Sequence, residues 1–180
     1  LSRFRLIGQG VDVSAINDQL DAQPDLWGQN PARTNDPNSP HHGIPDIWAR
    51  WRAPDEPADD APHFACFWPA WRALPALHSV VHNLSRVVGS VHLGGILVTS
   101  TPGGGQVRPH VDSGWHARFY NCKLYLVLRS NPLCLNWCDG EAENFRGGDV
   151  WTYPNDVLHS VENQGTTPHT NVIICCRIED

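Results

Sequence analysis

Methionine is absent from the 180 residues, and so is any apolar run near the roughly 20 residues a membrane-crossing helix needs. Basic residues are outnumbered, 13 Lys and Arg against 19 Asp and Glu, for a formal net charge of −6. General affinity for nucleic acid or an anionic membrane needs the opposite balance, so neither is expected as a partner. No internal repeat is visible, and no targeting or lipidation pattern stands at the N-terminus. Of the six cysteines, only Cys134 and Cys138 sit at a metal-like spacing, and no second pair matches them, so no structural zinc site is expected. The thiols lie mostly in apolar, strand-like stretches and read as free and buried, which fits a reducing, cytoplasmic compartment.

What is abundant is tryptophan and proline, 8 and 15 residues, pointing to long loops pinned by aromatics rather than to a helical bundle. The length suits one domain, 1–180, with a helical and loop-rich part over 1–89 and a β-rich core over about 90–178. "RFRLIG" reads as a short strand, and Val13, Ile16 and Leu20 then recur at helical spacing until Pro24. Residues 29–46 are rich in Pro, Asn, Asp and Ser without periodicity, a long loop of the kind that often serves as a lid. "DIWARWR" reads as a strand and "APDEPADDAP" as a polar connection. "PALHSVVHNLSRVV" is the clearest helix, stopped by Gly89; His78 and His82 are four apart on it but have no third ligand near in sequence.

From residue 90 the pattern changes to short strands: "VHLGGILVTS", "GQVRPHVD", "NCKLYLVLR", "LCLNWC", "AENF", "GDVWTYP", "VLHSVEN" and "TNVIICCRIE", joined by Gly, Pro, Asn and Asp. This succession predicts a mainly β fold with flanking helices, a cupin-like jelly roll or double-stranded β-helix.

The chemistry concentrates in "RPHVD". Residues two apart on a strand point the same way, so His110 and Asp112 face together. A metal needs a third donor, and His159, at the start of a strand 49 residues after His110, is the strongest candidate. Two imidazoles and a carboxylate leave half an octahedron open, the donor set of non-haem Fe(II) oxygenases. The plainer alternatives are a polar pair at a loop mouth and a core histidine.

"RPHVD", "KLYLVL", "GGDVWTYPNDVLHSVEN" and "NVIICCRIE", spread over about residues 90–178, resemble the Fe(II)/2-oxoglutarate-dependent dioxygenases, most closely the aspartyl/asparaginyl β-hydroxylase-like group. The resemblance implies that His110, Asp112 and His159 bind Fe(II). It further implies that 2-oxoglutarate and O2 are co-substrates giving succinate and CO2, and that an unactivated C–H bond of an amino acid or a peptidyl Asp/Asn-like residue is hydroxylated. Asp112 argues against halogenation, since halogenating relatives lack that carboxylate. A cation should meet the far carboxylate of 2-oxoglutarate. Relatives carry an Arg about ten residues after the distal histidine, where this chain has His169. Others use a Lys on the strand after the H-x-D pair, where Lys123 shares a strand face with Asn121 and Tyr125. The order of expectation is Lys123, His169, Arg118, with Arg177 too far along the last strand; alternatively Lys123 is a lysine guarding a sheet edge.

Trp115 and His116 read as loop residues near the open side of the iron, Asp149 and Trp151 as structural, and Asn163 as a turn or pocket residue. The arginines of "WARWR" could face an acidic or amide substrate. Two other classes compete with the dioxygenase reading: a cupin-type metal enzyme that does not use 2-oxoglutarate, and a non-catalytic jelly-roll binding module.

Overall fold

Eight strands carry the second half of the chain: β4 (Ser90–Thr101), β5 (Gln106–His110), β6 (Cys122–Arg129), β7 (Cys134–Cys138), β8 (Glu141–Glu143), β9 (Val150–Thr152), β10 (His159–Asn163) and β11 (His169–Ile178). The first half adds β1 (Arg5–Gly8), α1 (Ser14–Asp21), a 3-10 turn at Pro24–Leu26, β2 (Asp46–Trp51), the two-residue β3 (Cys66–Phe67), α2 (Pro69–Ala73) and α3 (Ala76–Val87). The computed structural model describes residues 2–29, 31, 33–56 and 60–179, so positions 30 and 32 of the 29–46 loop and 57–59 of the following connection lie outside the described residues.

The strands form two antiparallel sheets. Seven run in the order β1-β9-β6-β11-β4-β2-β3, and four in the order β5-β10-β7-β8. Together they make the double-stranded β-helix that the strand pattern predicts. β7 and β8 are joined by Asp139-Gly140, both with positive φ (50° and 83°), the backbone a tight hairpin turn demands.

Period-two alternation divides the large sheet into two faces. Leu124, Leu126 and Leu128 of β6, Ile96 and Val98 of β4, and Val172 and Ile174 of β11 form one core with Ile16 and Leu20 of α1 and Leu77, Val81 and Leu84 of α3. The other face looks at the small sheet, and Tyr125 and Val127 join Phe4, Phe145, Tyr153 and Cys138 in a second, smaller cluster. β4 crosses both regions. Its Gly94 and Gly95 leave room for the rings of Tyr120 and Trp51, which a Cβ would meet at 2.6 and 2.5 Å.

Three expectations change. Trp115 and His116 belong to a short helix, α4 (Gly114–Phe119), rather than a loop, and His116 is buried on it. α2 also had no sequence signal, because Pro69 opens a helix of only five residues. All six cysteines are free and four are buried, but Cys66 is exposed on the edge strand β3 and Cys122 is half-buried. Among the described residues no helix is long and apolar enough to cross a membrane.

Candidate active site

β5 and β10 are antiparallel neighbours in the small sheet, and His110 lies directly opposite His159. That register brings the two rings to 4.2 Å between centroids, although 49 residues separate them. Each ring is oriented by its own chain: His110 Nδ1 bonds the Arg108 carbonyl (2.8 Å), and His159 Nδ1 bonds the Val157 carbonyl (2.9 Å). A carbonyl only accepts, so both Nδ1 atoms carry a proton, and in the neutral tautomer this fixes, Nε2 is the atom that offers a lone pair.

Those lone pairs converge on Asp112. β5 ends at His110, yet Asp112 still faces the histidines because its amide donates to the Asn155 carbonyl (2.9 Å). His110 Nε2 is 3.5 Å from Asp112 Oδ1, and His159 Nε2 is 4.0 Å from Oδ2. One donor atom from each of the three residues lies within 4.8 Å of the others, the one such cluster found among the described residues. Burial alone would raise the Asp112 carboxyl. The Lys123 ammonium, which donates to it, opposes this, and the group is held far below the usual carboxylate range. Burial lowers His159, against the pull of the Val157 carbonyl and Asp112. Imidazoles that turn Nε2 to the site and an ionised carboxylate are what a divalent metal requires of its ligands. The donor set therefore fits Fe(II).

Lys123, the only lysine in the chain, donates from Nζ to Asp112 Oδ2. It stands on the cavity face of β6 with Tyr125, whose hydroxyl accepts from Asn155 Nδ2 (2.6 Å) and whose ring stacks on Tyr153 at 4.5 Å. Asn121, expected beside them, sits at the strand end and clamps Ile178, donating to its carbonyl (3.0 Å) and accepting from its amide (3.0 Å). His169 is fully buried and engaged at both nitrogens, with Ser130 Oγ (2.8 Å) and Asn171 Nδ2 (2.9 Å); burial lowers it to about 4. It is not among the residues lining the cavities around the triad. Arg118 is on the exposed rim, paired with Asp60 (3.1 Å), and Arg177 lies over the Phe119 ring. The structure thus brings His110, Asp112, His159, Lys123 and Tyr125 together, places Asn121 and Arg118 in the wall of a further cavity shared with Asp112 and Lys123, and leaves His169 apart.

Three cavities reach Asp112 and Lys123; one, ≈ 350 Å3, is also lined by Arg118, Asn121, Tyr153 and Asn155, and the other two lie on either side of the cluster. An inner one, ≈ 80 Å3, lies between the sheets and is lined by Thr99, Tyr125, Asn136, His159 and Asn171 among others. Asn136 Nδ2 and Asn171 Oδ1 are buried there without a hydrogen-bond partner among the described residues, as a pocket awaiting a polar guest would leave them. An outer one, ≈ 690 Å3, opens between the large sheet and α4, with Trp48, Trp51, His63, Trp115 and His116 in its walls. Arg33, His41, Asp112, Lys123 and Ile173 line both.

Arg33 and His41 were not singled out in the sequence. Both come from the 29–46 loop, where no periodicity marks a side chain as inward. Arg33 Nε donates to the buried Asp46 (3.1 Å), and His41 packs edge-on against His110 at 4.9 Å. His63 and His116 bond through Nε2 and Nδ1 (3.2 Å), and burial lowers His116 to about 3. The other expected residues are structural here. Asn163 Nδ2 donates to the Thr101 carbonyl (3.0 Å) in a turn, Arg50 lies over the Phe67 ring, and Arg52 reaches the outer cavity. His78 stacks on Trp71 and bonds its carbonyl (2.7 Å).

Several solved structures share the fold. The prolyl-4-hydroxylase of Pseudomonas putida superposes at a TM-score of 0.57 with 12% identity, covering 98% of this chain and 93% of that one. The viral collagen prolyl hydroxylase of Paramecium bursaria Chlorella virus-1 does so at 0.55 with 9% identity, over 99% and 97%. A 2OG-Fe(II) oxygenase family protein of Burkholderia pseudomallei reaches 0.56 with 12% identity, over 76% and 69%. At these identities the likeness is one of fold, and no curated protein matches the chain in sequence. The family model for aspartyl/asparaginyl β-hydroxylases does match, over residues 65–179, which run from the β3 edge through both sheets and include every residue of the metal-type cluster. The chain belongs to the aspartyl/asparaginyl β-hydroxylase family and is a hydroxylase of the 2-oxoglutarate/Fe(II) oxygenase type.

Proposed function

We propose that the 180 residues act as one catalytic domain in which His110, Asp112 and His159 hold Fe(II) and Lys123 receives the distal carboxylate of 2-oxoglutarate. The observation that carries this reading is the convergence of two imidazoles and a carboxylate beside the chain's only lysine, where the cavities meet. When bound, iron supplies the O2 chemistry that couples decarboxylation of 2-oxoglutarate, with release of succinate and CO2, to hydroxylation of a C–H bond.

The chain's own residues do the rest. The Arg108 and Val157 carbonyls keep both imidazoles in the ligating tautomer, as outer partners of metal ligands commonly do. Lys123 offers its ammonium to the cosubstrate while it still faces Asp112, which keeps a desolvated cation balanced. Tyr125, held by Asn155 and Tyr153, and the unpaired amides of Asn136 and Asn171 line the polar end of the inner cavity. The tryptophans of the outer cavity exclude water and shape the space for an amino acid or peptidyl Asp/Asn-like substrate.

Protein purified without chelators should bind about one Fe(II) per chain and release succinate from 2-oxoglutarate only with iron and O2 present. Iron binding with no 2-oxoglutarate turnover would favour the cupin-type alternative.

A further inference from the structure

The outer cavity is cationic on an acidic protein. Its walls carry Arg33, Arg52, Arg118 and Lys123 against Asp60 and Asp112, whereas the chain as a whole has a formal charge of −6. Most of these charges have partners: Lys123 faces Asp112 and Arg118 faces Asp60. Arg33 is different. Its Nε is committed to Asp46, behind the cavity wall, while its Nη2 is buried without a hydrogen-bond partner among the described residues. Nε and Nη2 share the edge that faces Asp46, whose Oδ1 is likewise without a partner among the described residues, so the Nε–Asp46 contact fixes the guanidinium plane and with it the direction of the Nη1/Nη2 end. A buried donor left unpaired costs free energy that a ligand would recover.

Arg33 also differs from Lys123 in origin. Lys123 rises from the barrel strand β6, next to the Asp112 carboxylate. Arg33 reaches in from the 29–46 loop, which is tied down where Arg108 Nη2 donates to the Pro37 carbonyl (2.6 Å) and the Arg108 amide to the Pro40 carbonyl (2.9 Å). The two cations thus approach the metal-type cluster from different parts of the fold and can serve two different anions.

We infer that Arg33 is the recognition residue for a carboxylate of the substrate in the outer cavity, while Lys123 serves the cosubstrate. This rests on the proposed function for its division of labour, and it narrows the substrate to a molecule or residue that presents a carboxylate to the guanidinium. The carboxylate is either the α-carboxylate of a free amino acid or the side-chain carboxylate of a peptidyl residue. Charge-assisted, bidentate recognition is what an arginine fork provides. The competing structural role, in which Arg33 serves only to neutralise Asp46, predicts that no ligand senses it.

The test uses the tryptophans of the cavity wall as reporters of binding. The protein, loaded anaerobically with Fe(II) and 2-oxoglutarate, is titrated with L-asparagine (an α-carboxylate alone), N-acetyl-L-aspartate α-methylamide (a side-chain carboxylate alone) and N-acetyl-L-asparagine α-methylamide (neither). One of the two acids should quench the fluorescence saturably and the third compound should not; which acid binds identifies the source. Replacing Arg33 alone would strand the buried Asp46, so the main variant is R33Q/D46N, with D46N as its control. The double variant should bind the acid at least about tenfold more weakly, while D46N binds it as well as or better than the wild type. Should R33Q/D46N not fold, R33K, which keeps a charge opposite Asp46 but loses the second guanidinium nitrogen, carries the same test and the same expected direction.

Iron and 2-oxoglutarate affinities are measured on the same proteins. An R33Q/D46N loss confined to 2-oxoglutarate would assign Arg33 to the cosubstrate and overturn the inference. So would binding of neither acid, equal binding of all three compounds, or acid binding unchanged in the variant. If the wild type takes up no iron or no 2-oxoglutarate, the proposed function fails, and the titration of metal-free protein still decides the role of Arg33.

Discussion

The two faces of the seven-stranded sheet are made by the same strands and do opposite work. Toward the helices β6 turns Leu124, Leu126 and Leu128, and β11 turns Val172 and Ile174; these side chains are buried in an all-apolar core. Toward the small sheet Val127 on β6 joins the second apolar cluster, but Lys123 and Tyr125 on β6, and Asn171 and Cys175 on β11, line cavities. One face holds the sheet flat against α1 and α3 through burial of apolar area. The other leaves amide atoms without partners and a cation beside a carboxylate, arrangements that contribute little to folding but can be completed by a metal and an anion. Stability and function are separated by a single residue step along each strand.

That separation can be broken from either side. The largest effect is expected for His159→Ala, which removes one Nε2 donor: iron affinity should fall by at least about a hundredfold, with activity abolished and chemical-denaturation stability within about 1 kcal/mol of the wild type. Metal titration and urea melts on the same sample check both halves. On the opposite face Leu126, fully buried, should cost about 3 kcal/mol as Leu126→Ala, lowering the urea midpoint while leaving the iron affinity of the remaining folded protein unchanged.

Lys123→Ala sharpens the comparison within the cavity face. 2-Oxoglutarate affinity, followed by equilibrium titration in the presence of Fe(II), should drop about 10- to 100-fold. His169→Ala should change it far less, since His169 is held by Ser130 and Asn171 away from the cavity walls. Equal or reversed effects would move the cosubstrate site to the last strand.

The smallest effect is a pH dependence. His169 sits near 4 in the folded protein against an ordinary 6.5, because burial disfavours its charged form. The unfolded chain therefore binds this proton first, so the stability it contributes is complete above about pH 6.5 and is lost as pH falls through about 4. Between pH 7.5 and 5.5 the loss from this one group should be about 1 kcal/mol. His169→Gln, uncharged throughout, should show a shallower decline in denaturant melts over that interval.

Which parts of this arrangement the sequence discloses follows from the same geometry. Period two on β6 and the H-x-D spacing on β5 are local rules, so the facing of His110 and Asp112, the shared face of Lys123 and Tyr125 and the jelly-roll succession could be expected from order along the chain, while the roles of these residues came from the family resemblance. That His159 lies opposite His110 depends on register across strands, which spacing alone suggested and pairing now displays. Arg33 and His41 were invisible for the converse reason: "PARTNDPNSPHHG" has no repeat to say which side chains turn inward, and their positions depend on distant partners such as Asp46 and His110. α4 was missed because six residues starting at Gly114 carry too little periodicity to register as a helix; its burial comes from Trp51, His63 and Tyr120 packing on His116. Asn121 illustrates the limit of face arguments, since a residue at a strand end can commit its amide to the neighbouring backbone even while it lines a cavity with Lys123.

The most direct test is an anaerobic titration of the metal-free protein with Fe(II) and then 2-oxoglutarate, followed by visible absorption. A weak charge-transfer band that develops only when both are present is the predicted result, and it should be lost in His159→Ala and need more 2-oxoglutarate in Lys123→Ala. Iron that binds without any band, and without raising the affinity for 2-oxoglutarate, would contradict the assignment of this site.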